Sequence, residues 1–296
     1  MQYIITFTMC KTEFGVLIFS DEFDLDGDPD SKKWARDVDP NPYGNELQYY
    51  NENPRNSFVQ DQMLHIVAYK ENLGVLAYTS AKLITANTQY FTYGRFDIRA
   101  KLPTGAGTWP AIWLVSEDET YQEIDIMESW GSDPGKVYFT VHSSNNFTDQ
   151  NDHHGTNQQI NDLESSFHIY SVEWTPNHIY GFVDGVKYFS LLKSDIKRKY
   201  WHFDKGMYII LNLAVIATDG ICDCFPQEML VDFVKVYKYI GNQTNKIIIG
   251  VVVCAGGALI IIISVTIIVK RRNRRAKNSN MVQMLQNDNI ITKINS

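Results

Sequence analysis

Cysteine is scarce in this 296-residue chain: there are four, Cys10, Cys222, Cys224 and Cys254. That is too few to staple a disulfide-built scaffold. Cys222 and Cys224 stand two residues apart, a spacing at which a bridge would strain an ordinary backbone. With Asp219 and Asp223 beside them and no histidine, they form no familiar metal set. Positive charge is also short, with 27 Lys and Arg against 34 Asp and Glu and a net charge of −7. The segment Lys270–Ser296 holds seven Lys or Arg and one acid, Asp288, so it is +6 and residues 1–269 are −13. An acidic body excludes nucleic acid as its ligand, because phosphate binding needs a basic face. Helical periodicity is missing before residue 247. No internal repeat is visible, and 44% hydrophobic residues exclude disorder for the bulk of the chain. The start of the sequence is expected to be a poor export signal. Met1–Glu13 has neither a basic n-region nor a long apolar one.

What is abundant is aromatic: 17 Tyr, 15 Phe and 6 Trp, 13% of the chain. Such a content favours β-structure and surfaces that receive flat ligands. Period-two alternation runs through Phe91–Leu102, Val137–His142, His168–Trp174, His178–Asp184 and Met229–Tyr237. Turn residues separate these runs, and Asp184-Gly185 between two of them is a hairpin signal. Residues 14–240 are therefore expected to form one antiparallel β-sandwich or barrel. Trp174 and Tyr237 read as core of it.

One long hydrophobic run follows. Ile247–Val269 is 23 residues without a charge, roughly 34 Å as a helix, enough to cross a hydrocarbon core of about 30 Å. The cluster Lys270–Arg275 should stay cytoplasmic and turn the body outward. Expected segments are thus 1–13, a weak or truncated signal, then the domain 14–240, a linker 241–246, a transmembrane helix 247–269 and a basic tail 270–296. Either the hydrophobic run directs insertion or the start of the chain is truncated; both readings stay open. Two sequons, at Asn146 and Asn242, suit an external body as glycosylation sites, although Asn242 stands close to the run.

The chemistry concentrates in Glu123-Ile-Asp-Ile-Met-Glu128-Ser-Trp130. On a strand, Glu123 and Asp125 share one face and Ile124 and Ile126 the other. Strict alternation would turn Glu128 away, and one extra residue, a β-bulge, brings it back. A solvated acidic edge is the plain alternative, but three close acids there repel one another without benefit. Two glutamates leaning inward could bring their carboxyls to the roughly 5–5.5 Å of a retaining glycosidase. Trp109-Pro-Ala-Ile-Trp113 lies just upstream, and tryptophan faces stack on sugar rings as readily as they fill cores.

Read together, these segments resemble glycoside hydrolase family 16, its laminarinase-like branch. The resemblance covers roughly residues 17–238. It rests on Phe19–Asp24, Asn45–Tyr50, Tyr93–Pro103, Gly107–Leu114, the acidic segment, Thr140–His142, Tyr170–Trp174 and Val231–Tyr237. It implies a jelly-roll sandwich with a concave cleft, and an endo-acting β-1,3-glucanase that needs no cofactor. It also implies Glu123 as nucleophile, Glu128 as acid/base and Asp125 tuning their protonation. Trp109 and Trp113 would line the cleft, with Asn45 and Arg95 at the glycone side, His142 beside the acids and Trp130 as a sugar platform. The family usually has Gly where Gln122 stands, and Leu211–Gly220 lacks the Gly-Gly and Trp that usually follow its Asn-x-Ala, which leaves the exact polysaccharide open. A glucan receptor without catalysis and a transglycosylase are the competing readings. The retained acids favour an enzyme, monomeric by default.

Overall fold

The computed structural model describes residues 2–40, 45–116, 122–143, 152–196, 201–217, 220–252 and 264–271, with side chains between 13 and 241. The chain divides into two compact units: Phe14–Tyr239, and Met1–Glu13 with Ile240–Ser296.

The larger unit is an all-β sandwich of two antiparallel sheets. One sheet runs, in spatial order, Asp152–Gln159, Lys136–Ser143, Gln122–Glu128, Thr108–Ser116, Met207–Val215, Lys82–Ile84, Ala35–Arg36. The other runs Val186–Leu192, His178–Val183, His168–Trp174, Gly94–Lys101, the first part of Gln227–Val252, Met63–Ala68, Ser57–Gln60. A small parallel pair, Gln48–Tyr50 with Tyr78–Ser80, stands beside them.

Alternation in the sequence becomes inside and outside in the sandwich. Along Gly94–Lys101, Phe96, Ile98 and Ala100 are fully buried while Arg95, Asp97, Arg99 and Lys101 face away from the core. Phe139 crosses from one sheet to stack on Phe189 of the other, with ring centroids 4.5 Å apart. Gly181 makes room for that ring: a Cβ there would lie 2.4 Å from it. Trp174 is fully buried and its indole donates to the Phe203 carbonyl at 3.1 Å. The Asp184-Gly185 turn has φ of 50° and 75°, the two positive values of a type I′ hairpin.

Three expectations need correcting. Tyr237 is half-buried on the outer face opposite Arg95, and its neighbour Val236 is the core residue. Cys222 and Cys224 form a disulfide with Cα atoms 5.2 Å apart; the loop is not extended there, so the separation falls within the ordinary range. The third concerns the smaller unit, where the apolar run is not helical in its described parts. Ile247–Val252 and Ser264–Val269 are strand, paired antiparallel from Gln243 opposite Arg271 to Gly250 opposite Ser264. Residues 253–263 lie outside the described ones. Among the described residues no helix is long and apolar enough to cross a membrane. The run is dominated by Ile and Val, whose branched Cβ lowers helix propensity and favours strand pairing.

Candidate active site

The acidic strand Gln122–Glu128 lies in the sheet between Thr108–Ser116 and Lys136–Ser143. Its register slips against both neighbours. Asp125 faces Thr140 and Glu128 faces Tyr138, so three steps on one strand meet two on the other. On the far side, Asp125 faces Trp113 and Met127 faces Ile112. Ile126 and Met127 are consecutive and both fully buried. This is the bulge expected from the spacing, and Glu123, Asp125 and Glu128 share the face away from the core.

Three cross-strand rows make up that face. Val115, Glu123 and His142 form the first, Trp113, Asp125 and Thr140 the second, Ala111, Glu128 and Tyr138 the third. His142 Nε2 lies 3.1 Å from Asp125 Oδ2 and 3.7 Å from Glu123 Oε1. The indole Nε1 of Trp109 donates to Glu128 Oε1 at 2.8 Å. Trp130 packs on Trp109 with centroids 5.0 Å apart, and Tyr138 lies beyond it at 6.4 Å. Gly131 permits this pairing. Its N–H donates to the Thr108 carbonyl, and a Cβ there would sit 1.9 Å from the Gly105 carbonyl oxygen. No side chain fits between the turn at Gly131, just after Trp130, and the turn at Gly105, just before the strand that carries Trp109. A cavity of about 710 Å³ at the edge of the sandwich is lined by Tyr138, Thr140, His153 and Asn157 of this sheet and by Tyr188 to Leu191 of the other, with none of the three acids in its wall.

Burial sets the electrostatics. Asp125 is 4% exposed. Burial holds its carboxyl well above the usual range, the Glu128 charge pushes the same way, and a hydrogen bond with Glu123 opposes both. Glu128 is also raised by burial, against the Trp109 hydrogen bond and the His142 charge. Packed this closely, the two carboxyls resist ionising together. The arrangement therefore keeps a proton available beside a carboxylate, the requirement of acid–base chemistry near neutral pH. Glu123, Asp125 and His142 also bring two oxygens and a nitrogen within 4.8 Å of one another, a set that could hold a divalent ion.

A stability consequence follows. Raised carboxyls bind protons more tightly folded than unfolded, so each lowers stability as pH climbs above the unfolded value near 4. Gln at position 128 cannot ionise and can still accept from Trp109. Glu128→Gln is expected to raise Tm near pH 7, with the gain vanishing below about pH 4. Thermal melts of both proteins at the two pH values check this; a Tm difference that ignores pH would refute it.

Other expected residues fall in different places. Trp113 lies on the acidic face, its Nε1 donating to Asn212 Oδ1 at 2.8 Å. Asn45 is exposed in the turn before Glu46, which bridges to Ile216 at the end of the neighbouring strand. Arg95, expected at the glycone side, is a correction: it stands on the other sheet and faces away from the core. Asp97 at 2.9 Å and Glu173 at 2.8 Å hold its guanidinium there, because period-two alternation that buries Phe96 must turn Arg95 outward. Asn146 lies outside the described residues, as does the side chain of Asn242. Asn212, Tyr50, Tyr138 and His153 were not anticipated. A polar residue inside the apolar strand Leu211-Asn-Leu-Ala214 and the alternation Glu46, Gln48, Tyr50 were the available signals.

Comparison with known proteins agrees with this architecture. The family model "Glycosyl hydrolases family 16" matches residues 44–219. A "Beta-glucanase" from Rhodothermus marinus is 38% identical over 244 residues, spanning 76% of this chain and 85% of that protein. "Glucan endo-1,3-beta-glucosidase A1" from Niallia circulans is 33% identical over 75% of this chain, but over only 38% of its own length. The solved laminarinase of Rhodothermus marinus superposes with a TM-score of 0.72 at 37% identity, covering 76% of this chain and 97% of that one.

Proposed function

The chain belongs to glycosyl hydrolase family 16 and is a glycosidase, and from that premise we propose that it cleaves β-1,3-glucan internally, with retention, on the outer side of a membrane. The bulged acidic strand carries this reading, because it sets three carboxyls and the Trp109 indole on one face. In the first step Glu123 attacks the anomeric carbon while Glu128 gives its proton to the departing oxygen. Glu128, now a carboxylate, takes a proton from water, and that water releases the sugar from Glu123. Asp125, buried between them, keeps both from ionising at once. Trp109, Trp113 and Trp130 offer aromatic faces to successive sugar rings, His142 and Asn45 are polar partners for their hydroxyls, and the cavity past Tyr138 has room for further units.

Support for the linkage comes from the relatives, among them glucan endo-1,3-beta-glucosidases of Niallia circulans and Cryptopygus antarcticus. The full-length protein in detergent should release oligosaccharides of several sizes from laminarin, and NMR of the first product should show the β-anomer. An α-anomer would refute the mechanism. Glucose alone at the earliest times would refute internal cleavage. Faster turnover of agarose or carrageenan would move the substrate while leaving the mechanism standing.

The membrane part rests on the length of Ile247–Val269 and the basic flank after it. In hydrocarbon an open two-stranded ribbon leaves its outer N–H and C=O groups unpaired, so this segment must satisfy them internally and become a helix on entering a bilayer. Protease added to intact cells should remove the domain and spare the tail; a protected domain overturns the outward topology.

A further inference from the structure

We propose that Glu46 is a positioning residue that holds Trp113 in the cleft by way of Tyr50 and Asn212. The inference rests on the reading that Trp113 lines the substrate cleft.

The hydrogen bonds admit one direction. An indole N–H only donates, so the atom of Asn212 facing Trp113 Nε1 must be the amide oxygen, at 2.8 Å. That turns Asn212 Nδ2 towards Tyr50, to whose hydroxyl it donates at 3.0 Å. The phenol, accepting there, sends its own proton to Glu46 Oε2 at 3.2 Å. Glu46 also accepts from Gln48 Nε2, and Gln48 Oε1 accepts from the Val215 N–H at 2.6 Å. Each link donates towards the next, and the series ends on a carboxylate, which accepts only.

Burial makes the series hard to replace. Asn212, Tyr50 and Gln48 are 6%, 2% and 0% exposed, so water cannot easily substitute for a lost partner. Lys82, which packs over the Tyr50 ring with Nζ 5.1 Å from its centre, and Asp39 are the other charges that act on Glu46. Burial, the largest influence, raises the Glu46 carboxyl above its usual range, and the hydrogen bonds from Gln48 and Tyr50 with the Lys82 charge offset part of that rise. Remove that acceptor, and the Tyr50 proton has no defined destination. The phenol can then rotate, the Asn212 amide loses its fixed sense, and Trp113 loses its anchor. Trp113 stands directly opposite Asp125 in the register, so looseness there reaches the sugar bound over the acids.

The test uses full-length protein in detergent, labelled with ¹⁵N at its six tryptophans, with the Trp113 indole resonance assigned through Trp113→Phe. Glu46→Ala and Tyr50→Phe are each expected to move that resonance upfield, and the double variant no further than either. Glu46→Gln, whose amide oxygen can accept from Tyr50, should restore most of the original position. On laminarin, Glu46→Ala should raise KM several-fold and leave kcat within about twofold, the mark of lost binding. Should Glu46→Ala fail to fold, Tyr50→Phe removes a single oxygen and decides alone. An unmoved Trp113 resonance in the folded variants, or additive shifts in the double variant, would overturn the proposal. The spectrum reports the linkage even if no polysaccharide is cleaved, so its failure and that of the glycosidase mechanism are read separately.

Discussion

Glu123→Gln is expected to leave a folded protein whose turnover of laminarin falls at least about a thousandfold. The amide preserves the shape of a side chain that is 14% exposed and in contact distance of His142, so packing is unaffected. What it loses is the negatively charged oxygen that, in the proposed mechanism, attacks the anomeric carbon. A further variant separates this role from a general electrostatic one. Glu123→Ala opens space beneath the sugar, and added azide should attack an activated aryl β-glucoside from the vacated face to give the α-glycosyl azide. Activity above about a tenth of the natural level in Glu123→Gln, measured by reducing-end release, would sink the nucleophile assignment, as would a β-azide.

Glu128→Gln is expected to discriminate between leaving groups. Laminarin leaves as a sugar alkoxide unless protonated, so its turnover should fall at least about a hundredfold. An aryl glycoside with an acidic phenol needs no proton to depart, and its first step should be nearly spared. Its second step should slow, because the same side chain must then activate water, and a burst of phenol followed by slow release should appear. Equal losses on both substrates would remove Glu128 from the acid role. Trp109 still meets the amide oxygen in this variant, so the two outcomes are not confused by collapse of the site.

Much of this molecule is written in local alternation. The pairing of apolar and polar positions in Gly94–Lys101, Lys136–Ser143 and His168–Trp174 fixes which side chains face the core, and the odd spacing of the three acids announces the bulge. Period two says nothing about which of two sheets receives a strand. Arg95 illustrates the limit: its motif sits near the tryptophans in sequence, yet the strand crosses to the opposite layer and aims it at Asp97 and Glu173. Asn212 and Tyr50 were equally hidden, since they meet across 162 positions of sequence. The apolar run illustrates a different limit. Its length and lack of charge suggest a helix, while its Ile and Val content suits the strand pairing of its described parts, and apolar length alone does not separate the two.

The bulge at Ile126–Met127 also bears on how such a strand can change over generations. Deleting Met127 leaves Glu-Ile-Asp-Ile-Glu in strict alternation, and all three acids remain on one face, now without the register slip. Losing one codon at Asp125 or Ile124 instead leaves only two acids together. Deleting Ile126 gives the same pattern as deleting Met127, so the bulge pair Ile126–Met127 is the one place within the acidic segment where a length change keeps the three acids together. The geometry of the backbone, more than the identity of the acids, decides where such a step is allowed.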